Sequence, residues 1–153
     1  MALDEREYKV FKIENGTVID HIHHWKALDV IELLGLRQTR GLVTLGIGLS
    51  SAKLGKKDLL KIEQRQLTPQ EMHQLALVAP QATINLIEDG KRVKKHNVIL
   101  PERIDRLVRC SNIGCITRHE AVPTRFLTLQ RDPLRLRCHY CNWVTPAEEI
   151  ELL

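Results

Sequence analysis

Four cysteines stand as Cys110-x4-Cys115 and Cys138-x2-Cys141, the only cysteines in the chain, with 22 residues between the two pairs. Each pair can present two thiolates from one tight turn, and two such turns brought together make a tetrahedral four-thiolate zinc site. The first turn, Cys110-Ser111-Asn112-Ile113-Gly114-Cys115, carries Asn and Gly, the residues that tolerate unusual backbone angles. Two disulfides in a secreted domain are one competing use of these residues. Against it, Met1 to Lys9 is mostly charged and does not read as a secretory leader. A redox-active Cys-x-x-Cys is another, but it leaves the other pair unexplained. Four thiolates fill the coordination sphere and leave no position for substrate or water, so the metal expected here is structural.

A second set of polar groups lies beside apolar runs earlier in the chain. Asp20-His21 follows Val18-Ile19, Lys61 sits in a strand-like segment, Asn85 interrupts Thr83–Ile87, and Lys94 and Lys95 end a hairpin. Cations on a concave sheet can hold phosphates, and a carboxylate can accept from ribose hydroxyls. The plainer alternative is a set of solvated lysines with a capping Asp. His21, His23 and His24 read as surface histidines rather than metal ligands. Catalytic patterns are poor. Gly46-x-Gly48 lacks the third glycine of a dinucleotide fingerprint, no Walker-type loop occurs, and Ser50-Ser51 have no recognisable base nearby. The chain does not read as an enzyme.

The elements that must position these groups follow from periodicity. Val10–Ile13 reads as a short strand, stopped by Asn15-Gly16, and residues 17–22 as extended chain. Ala27, Val30, Ile31 and Leu34 share one helical face, with Gly35 placed to end it. Val43, Leu45, Ile47 and Leu49 alternate as a strand, and residues 56–63 form another. Thr68-Pro69-Gln70-Glu71 is a capping-box helix start, and Pro80 ends that helix. Strands 83–87 and 91–95 flank the turn Asp89-Gly90. The order β-β-α-β-β-α-β-β predicts an α+β fold, an antiparallel sheet with two helices on one face. Past Leu100–Asp105, read as a joint, strands at 107–110, 126–130, 134–138 and 143–145 predict a small four-stranded antiparallel β zinc domain. The expected domains are therefore 1–100 and 101–153.

Composition agrees with two small soluble domains, at 43% hydrophobic and 27% charged residues over 153 in all, and no apolar run approaches a membrane span. Lysine stops at Lys95 and arginine serves the remainder. The net charge of +4 is weak for a dedicated nucleic-acid binder. For the zinc part, a ribbon that reads nucleic acid competes with metal-ordered loops that dock another protein. Eight Arg against seven acidic residues in 101–153 favour the protein surface.

With these residues assembled, the chain resembles the regulatory chains of aspartate carbamoyltransferase over nearly its whole length. The similarity is carried by residues 16–22 (Gly-Thr-Val-Ile-Asp-His-Ile), 55–63 (Gly-Lys-Lys-Asp-Leu-Leu-Lys-Ile-Glu), 74–85, 100–104 (Leu-Pro-Glu-Arg-Ile) and the cysteine spacing, in order. The resemblance implies a non-catalytic, cytoplasmic allosteric subunit of pyrimidine biosynthesis. Its first domain would bind CTP, UTP and ATP, with Mg2+ as a companion ion. Its zinc domain would dock on the catalytic chain, so that three regulatory homodimers join two catalytic trimers in a dodecamer, with neither nucleic acid nor membrane as partner. Carried over by motif, Asp20, His21, Lys57, Lys61, Asn85 and Lys95 would serve ribose and phosphates, and Val10, Ile13, Val18 and Ile87 would line the base. The chain departs from the pattern in its hairpin, Glu88–Arg92, which lacks an aromatic residue, and at Phe11 and Glu14 before Gly16.

Overall fold

The computed structural model describes residues 12–153, which divide into two compact units, one ending at Val98 and the other beginning at Ile99.

In the first unit the strands are β1 (Gly16–His23), β2 (Val43–Ser51), β3 (Gly55–Glu63), β4 (Thr83–Glu88) and β5 (Lys91–Asn97). They form one antiparallel sheet in the order β2-β3-β1-β4-β5. Helices α1 (Ala27–Leu33) and α2 (Pro69–Val78) complete it. Ile19, Leu60, Ile62 and Ile84 from the strands close a buried core with Val30, Leu34, Leu75 and Ala79 from the helical segments. Burying such side chains is the main stabilising term, worth about 1.5–3 kcal/mol each. The period-two alternation leaves the other face of the sheet free for polar groups.

Local chemistry explains the boundaries. Thr68 Oγ1 accepts from the Glu71 amide at 3.1 Å while Glu71 Oε2 accepts from the Thr68 amide at 2.9 Å, closing the expected capping box at α2. Helix α1 has no such local cap. Instead the buried Asp58 of β3 reaches across, and its Oδ2 accepts from the Ala27 amide at 3.2 Å. Asp58 Oδ1 also accepts from the Gly48 amide at 3.2 Å and lies 3.3 Å from His24 Nδ1. One enclosed carboxylate thus ties the β1–α1 turn and β2 to β3. Gly16 permits the closest strand approach, since a Cβ there would lie 2.1 Å from the Ile62 carbonyl oxygen.

The expected strand at Val10–Ile13 falls largely outside the described residues, and Lys12 and Ile13 have no regular structure. In β2 the predicted alternation breaks. Its register with β3 shifts between Gly46 and Leu49, with Gly48 at φ +77°, so β2 carries a bulge and none of its residues is fully buried.

The second unit is built from β6 (Arg103–Asp105), β7 (Val108–Arg109), β8 (Arg125–Arg131), β9 (Leu134–Cys138), β10 (Val144–Pro146) and β11 (Glu151–Leu152). The four-stranded sheet is present, in the order β10-β9-β8-β6, but its fourth strand is not the expected one. Arg103–Asp105, read as part of a joint, pairs with β8, whereas Val108–Arg109 pairs with β11 in a separate ribbon. Leu100 and Pro101 also belong here, their carbonyls accepting from Arg131 and, at 2.8 Å, from Thr128 Oγ1. Sequence periodicity cannot choose between pairing partners of two- and three-residue strands. Phe126, Leu136, Ile104 and Val108 form the buried centre. No helix among the described residues is long and apolar enough to cross a membrane.

Candidate functional site

The two cysteine turns meet. The Cys110 and Cys141 sulfurs lie 3.7 Å apart and those of Cys115 and Cys138 3.8 Å apart, with all four within 4.8 Å of one another. Sulfurs about 2.3 Å from a central ion at tetrahedral angles would stand roughly 3.8 Å from each other, the separation of these two pairs, so the four thiols are gathered in a cage of zinc-binding size. Cys110, Cys115 and Cys138 are fully enclosed, and Cys141 is half-buried. In the first turn the Cys115 amide donates to the Asn112 carbonyl at 3.0 Å and the Gly114 amide to Asn112 Oδ1 at 3.0 Å. The left-handed residue is in the second turn rather than the first: Asn142, at φ +61°, whose amide donates to the Cys138 carbonyl at 3.0 Å. Thr117 Oγ1 donates to the Cys115 sulfur at 3.2 Å, orienting that ligand from outside the shell.

Burial pushes the Cys110 and Cys138 thiols up, the cost of ionising sulfur inside protein. Burial acts the same way on Cys141, but donors from the Asn112 side chain and the Trp143 amide, together with the neighbouring thiols, bring it down to about 7. A bound metal ion would draw all four into the thiolate form.

On the first unit, sheet register assembles what the sequence scatters. Lys61 pairs with Val18, Val18 with Asn85, and Asn85 with Lys95, so four of the singled-out residues form one transverse row on the face opposite the core. Two residues along β1 in one direction lies Asp20; in the other, Gly16 pairs with Ile87. Asp20 Oδ1 lies 2.8 Å from Lys57 Nζ in a half-buried ion pair. β1 bulges between Ile19 and Ile22, and His21 there adopts φ +55°. Such a conformation costs of order 1–3 kcal/mol and persists only where the surroundings impose it. Here the His21 amide donates to Asp20 Oδ1 at 2.6 Å, and its ring Nδ1 lies 3.1 Å from Thr83 Oγ1. The histidines otherwise show no metal geometry, and the cysteines are the only clustered ligands among the described residues.

Two features of this face bear on what it could hold. Burial, then repulsion from Lys12, lowers the Lys61 ammonium below its usual range, with Asp20 opposing. An incoming anion would relieve that repulsion. Asn85 Oδ1 is enclosed and makes no hydrogen bond among the described residues, a cost of about 1–3 kcal/mol that a donor would remove. Ile13 is 5% exposed yet not part of the core beneath the helices. Val10 lies outside the described residues. Lys12 and Asp58 were missed in the sequence reading. Lys12 precedes the first regular element among the described residues, and Asp58 acts through contacts 10 to 34 residues away that no local pattern encodes.

The family model described as aspartate carbamoyltransferase regulatory chain, allosteric domain, matches residues 8–99, and that described as the metal binding domain of the same chain matches 102–151. The aspartate carbamoyltransferase regulatory chain of Pyrococcus abyssi is 48% identical over 146 residues, covering 94% of this chain and 96% of its own. That of Methanothermobacter thermautotrophicus is 45% identical over 146 residues (95% and 94%), and that of Methanococcus vannielii 48% identical over 136 (89% and 91%). An allosteric unit, a four-cysteine metal-binding unit and full-length similarity therefore converge, and the chain belongs to the family of aspartate carbamoyltransferase regulatory chains.

Proposed function

We propose that the first unit binds the nucleotide effectors CTP, UTP and ATP, with Mg2+ as companion ion, and that the second, ordered by structural zinc, docks on the catalytic chain. The observation that carries this reading is the transverse row Lys61–Val18–Asn85–Lys95. The triphosphate would lie against Lys57, Lys61 and Lys95, the ribose near Asp20 and His21, and the base against Ile13, Val18 and Ile87. The surface around the zinc supports docking: Ile113 is 76% exposed in the first turn, and Tyr140 and Trp143 are exposed at the second. Apolar and aromatic side chains on metal-ordered loops are good protein anchors.

In this reading the chain works by linkage. Competing nucleotides occupy one site, and each favours a different state of the holoenzyme, a dodecamer of two catalytic trimers and three regulatory homodimers in the cytoplasm. A nucleotide shifts that equilibrium only by its differential affinity for the two states, typically about 1–3 kcal/mol. The test is to mix the zinc-loaded chain with the catalytic chain of an aspartate carbamoyltransferase, weigh the product by light scattering, and assay it with and without CTP and ATP. A complex containing both chains, with activity that responds to nucleotide, is expected. Failure to associate, or association with activity indifferent to every nucleotide, would refute the corresponding half of the proposal.

A further inference from the structure

The hairpin β4–β5 contains a register change that places a guanidinium at one end of the row. Asn85 pairs with Lys95 and Leu86 with Lys94, so regular pairing would set Val93 opposite Ile87. The register shifts between Leu86 and Ile87, leaving Val93 as the extra residue, and Arg92 takes the place opposite Ile87. Cross-strand partners share a face. Arg92 therefore stands on the same face as Asn85 and Lys95, beside the apolar end of the site. Its side chain is exposed and makes no ion pair or hydrogen bond among the described residues.

The polarity of the face sets the direction in which a nucleotide would lie. Lys57 with Asp20 and His21 makes one end cationic and hydrogen-bonding, Ile87 makes the other apolar, and the row Lys61–Val18–Asn85–Lys95 crosses between them. A base belongs at the apolar end, where Arg92 would meet its edge. A guanidinium offers five donors in a planar fork and no acceptor. It matches a base edge bearing two adjacent acceptors, N7/O6 of guanine or N3/O2 of cytosine. It opposes an edge where an amino or imino N–H alternates with the acceptors, as in adenine and uracil.

We infer that Arg92 is a specificity-determining residue of this site, favouring nucleoside triphosphates whose base presents paired acceptors, guanine over adenine and cytosine over uracil. The inference rests on the nucleotide-binding reading and adds to it a rule of base choice. Selection by the fork differs from simple attraction to phosphate, because only the former separates nucleotides of equal charge.

Calorimetric titration of the full, zinc-loaded chain with GTP, ATP, CTP and UTP tests it, alongside Arg92→Ala and Arg92→Lys. Wild type should favour GTP over ATP and CTP over UTP by about tenfold, the scale of one bidentate base contact. Arg92→Ala should bring both ratios near one, and Arg92→Lys, which keeps the charge and loses the fork, should do the same. Equal weakening of all four nucleotides in Arg92→Ala, with ratios unchanged, would make Arg92 a phosphate cation and overturn the inference while leaving nucleotide binding intact. Wild-type ratios near one would overturn it too. Binding of none of the four by folded wild type would remove the nucleotide reading itself.

Discussion

In the second unit the decisive groups sit in two turns, of six residues from Cys110 and four from Cys138, and converge on one point inside the protein. In the first unit they come from four strands and lie along the sheet face opposite the core, each held in place by its cross-strand partner. The cage is organised by the ligands' affinity for an ion; the row is organised by a hydrophobic core on the other side of the sheet. A metal-stapled domain of this size has little core of its own, so its stability and its metal are one quantity. The row has no staple, and its geometry is only as good as the register beneath it.

The largest expected effect breaks the cage alone. Cys115→Ala, or chelation, should unfold the second unit, because structural zinc supplies on the order of 10–16 kcal/mol of apparent binding energy in small domains. Nucleotide binding by the first unit should persist, while association with the catalytic chain is lost; zinc content, circular dichroism and light scattering report the three. Retained association without metal would contradict the division of labour.

The converse is Leu60→Ala. Leu60 is fully buried beneath the row, so the first unit should lose about 2–5 kcal/mol in denaturant unfolding. Zinc affinity should not change; a loss of metal would show that the two regions are not independent. Smaller again is Thr68→Ala, which removes one half of the capping box of α2 and should cost about 1 kcal/mol, read as a lowered midpoint of thermal unfolding. An unchanged midpoint would mean that the cap contributes nothing.

The least effect concerns protons. Lys61 is lowered by burial and by Lys12, and a bound phosphate would raise it again. Nucleotide binding should therefore take up protons at alkaline pH, and affinity should fall as pH rises through the lowered value. Titrations in buffers of different ionisation enthalpy measure this; proton release on binding would place the phosphates elsewhere.

The same contrast explains what the sequence made legible. Cysteine spacing states ligand identity directly, and the capping box at Thr68 and the helical face of Ala27–Leu34 are likewise local. Asp20, Lys61, Asn85 and Lys95 could be noticed one at a time, but their alignment depends on which strands pair and in what register. The bulges in β1 and β5 arise from tertiary pairing with no glycine to mark them, whereas the one in β2 carries its signal in Gly46 and Gly48. Asp58 read as an ordinary strand residue, yet it is the enclosed cap of α1. The pairing of Val108–Arg109 with Glu151–Leu152 was missed for a similar reason, since two-residue strands carry no period.

The central claim is that the polar row is a nucleotide site. Calorimetric titration of the zinc-loaded chain with CTP and with ATP, beside Lys61→Ala, tests it most directly. Saturable binding of both, each displacing the other, with affinity reduced about tenfold or more in the variant, is the predicted result. Binding unaffected by Lys61→Ala, or no binding by folded, metal-loaded protein, would contradict it.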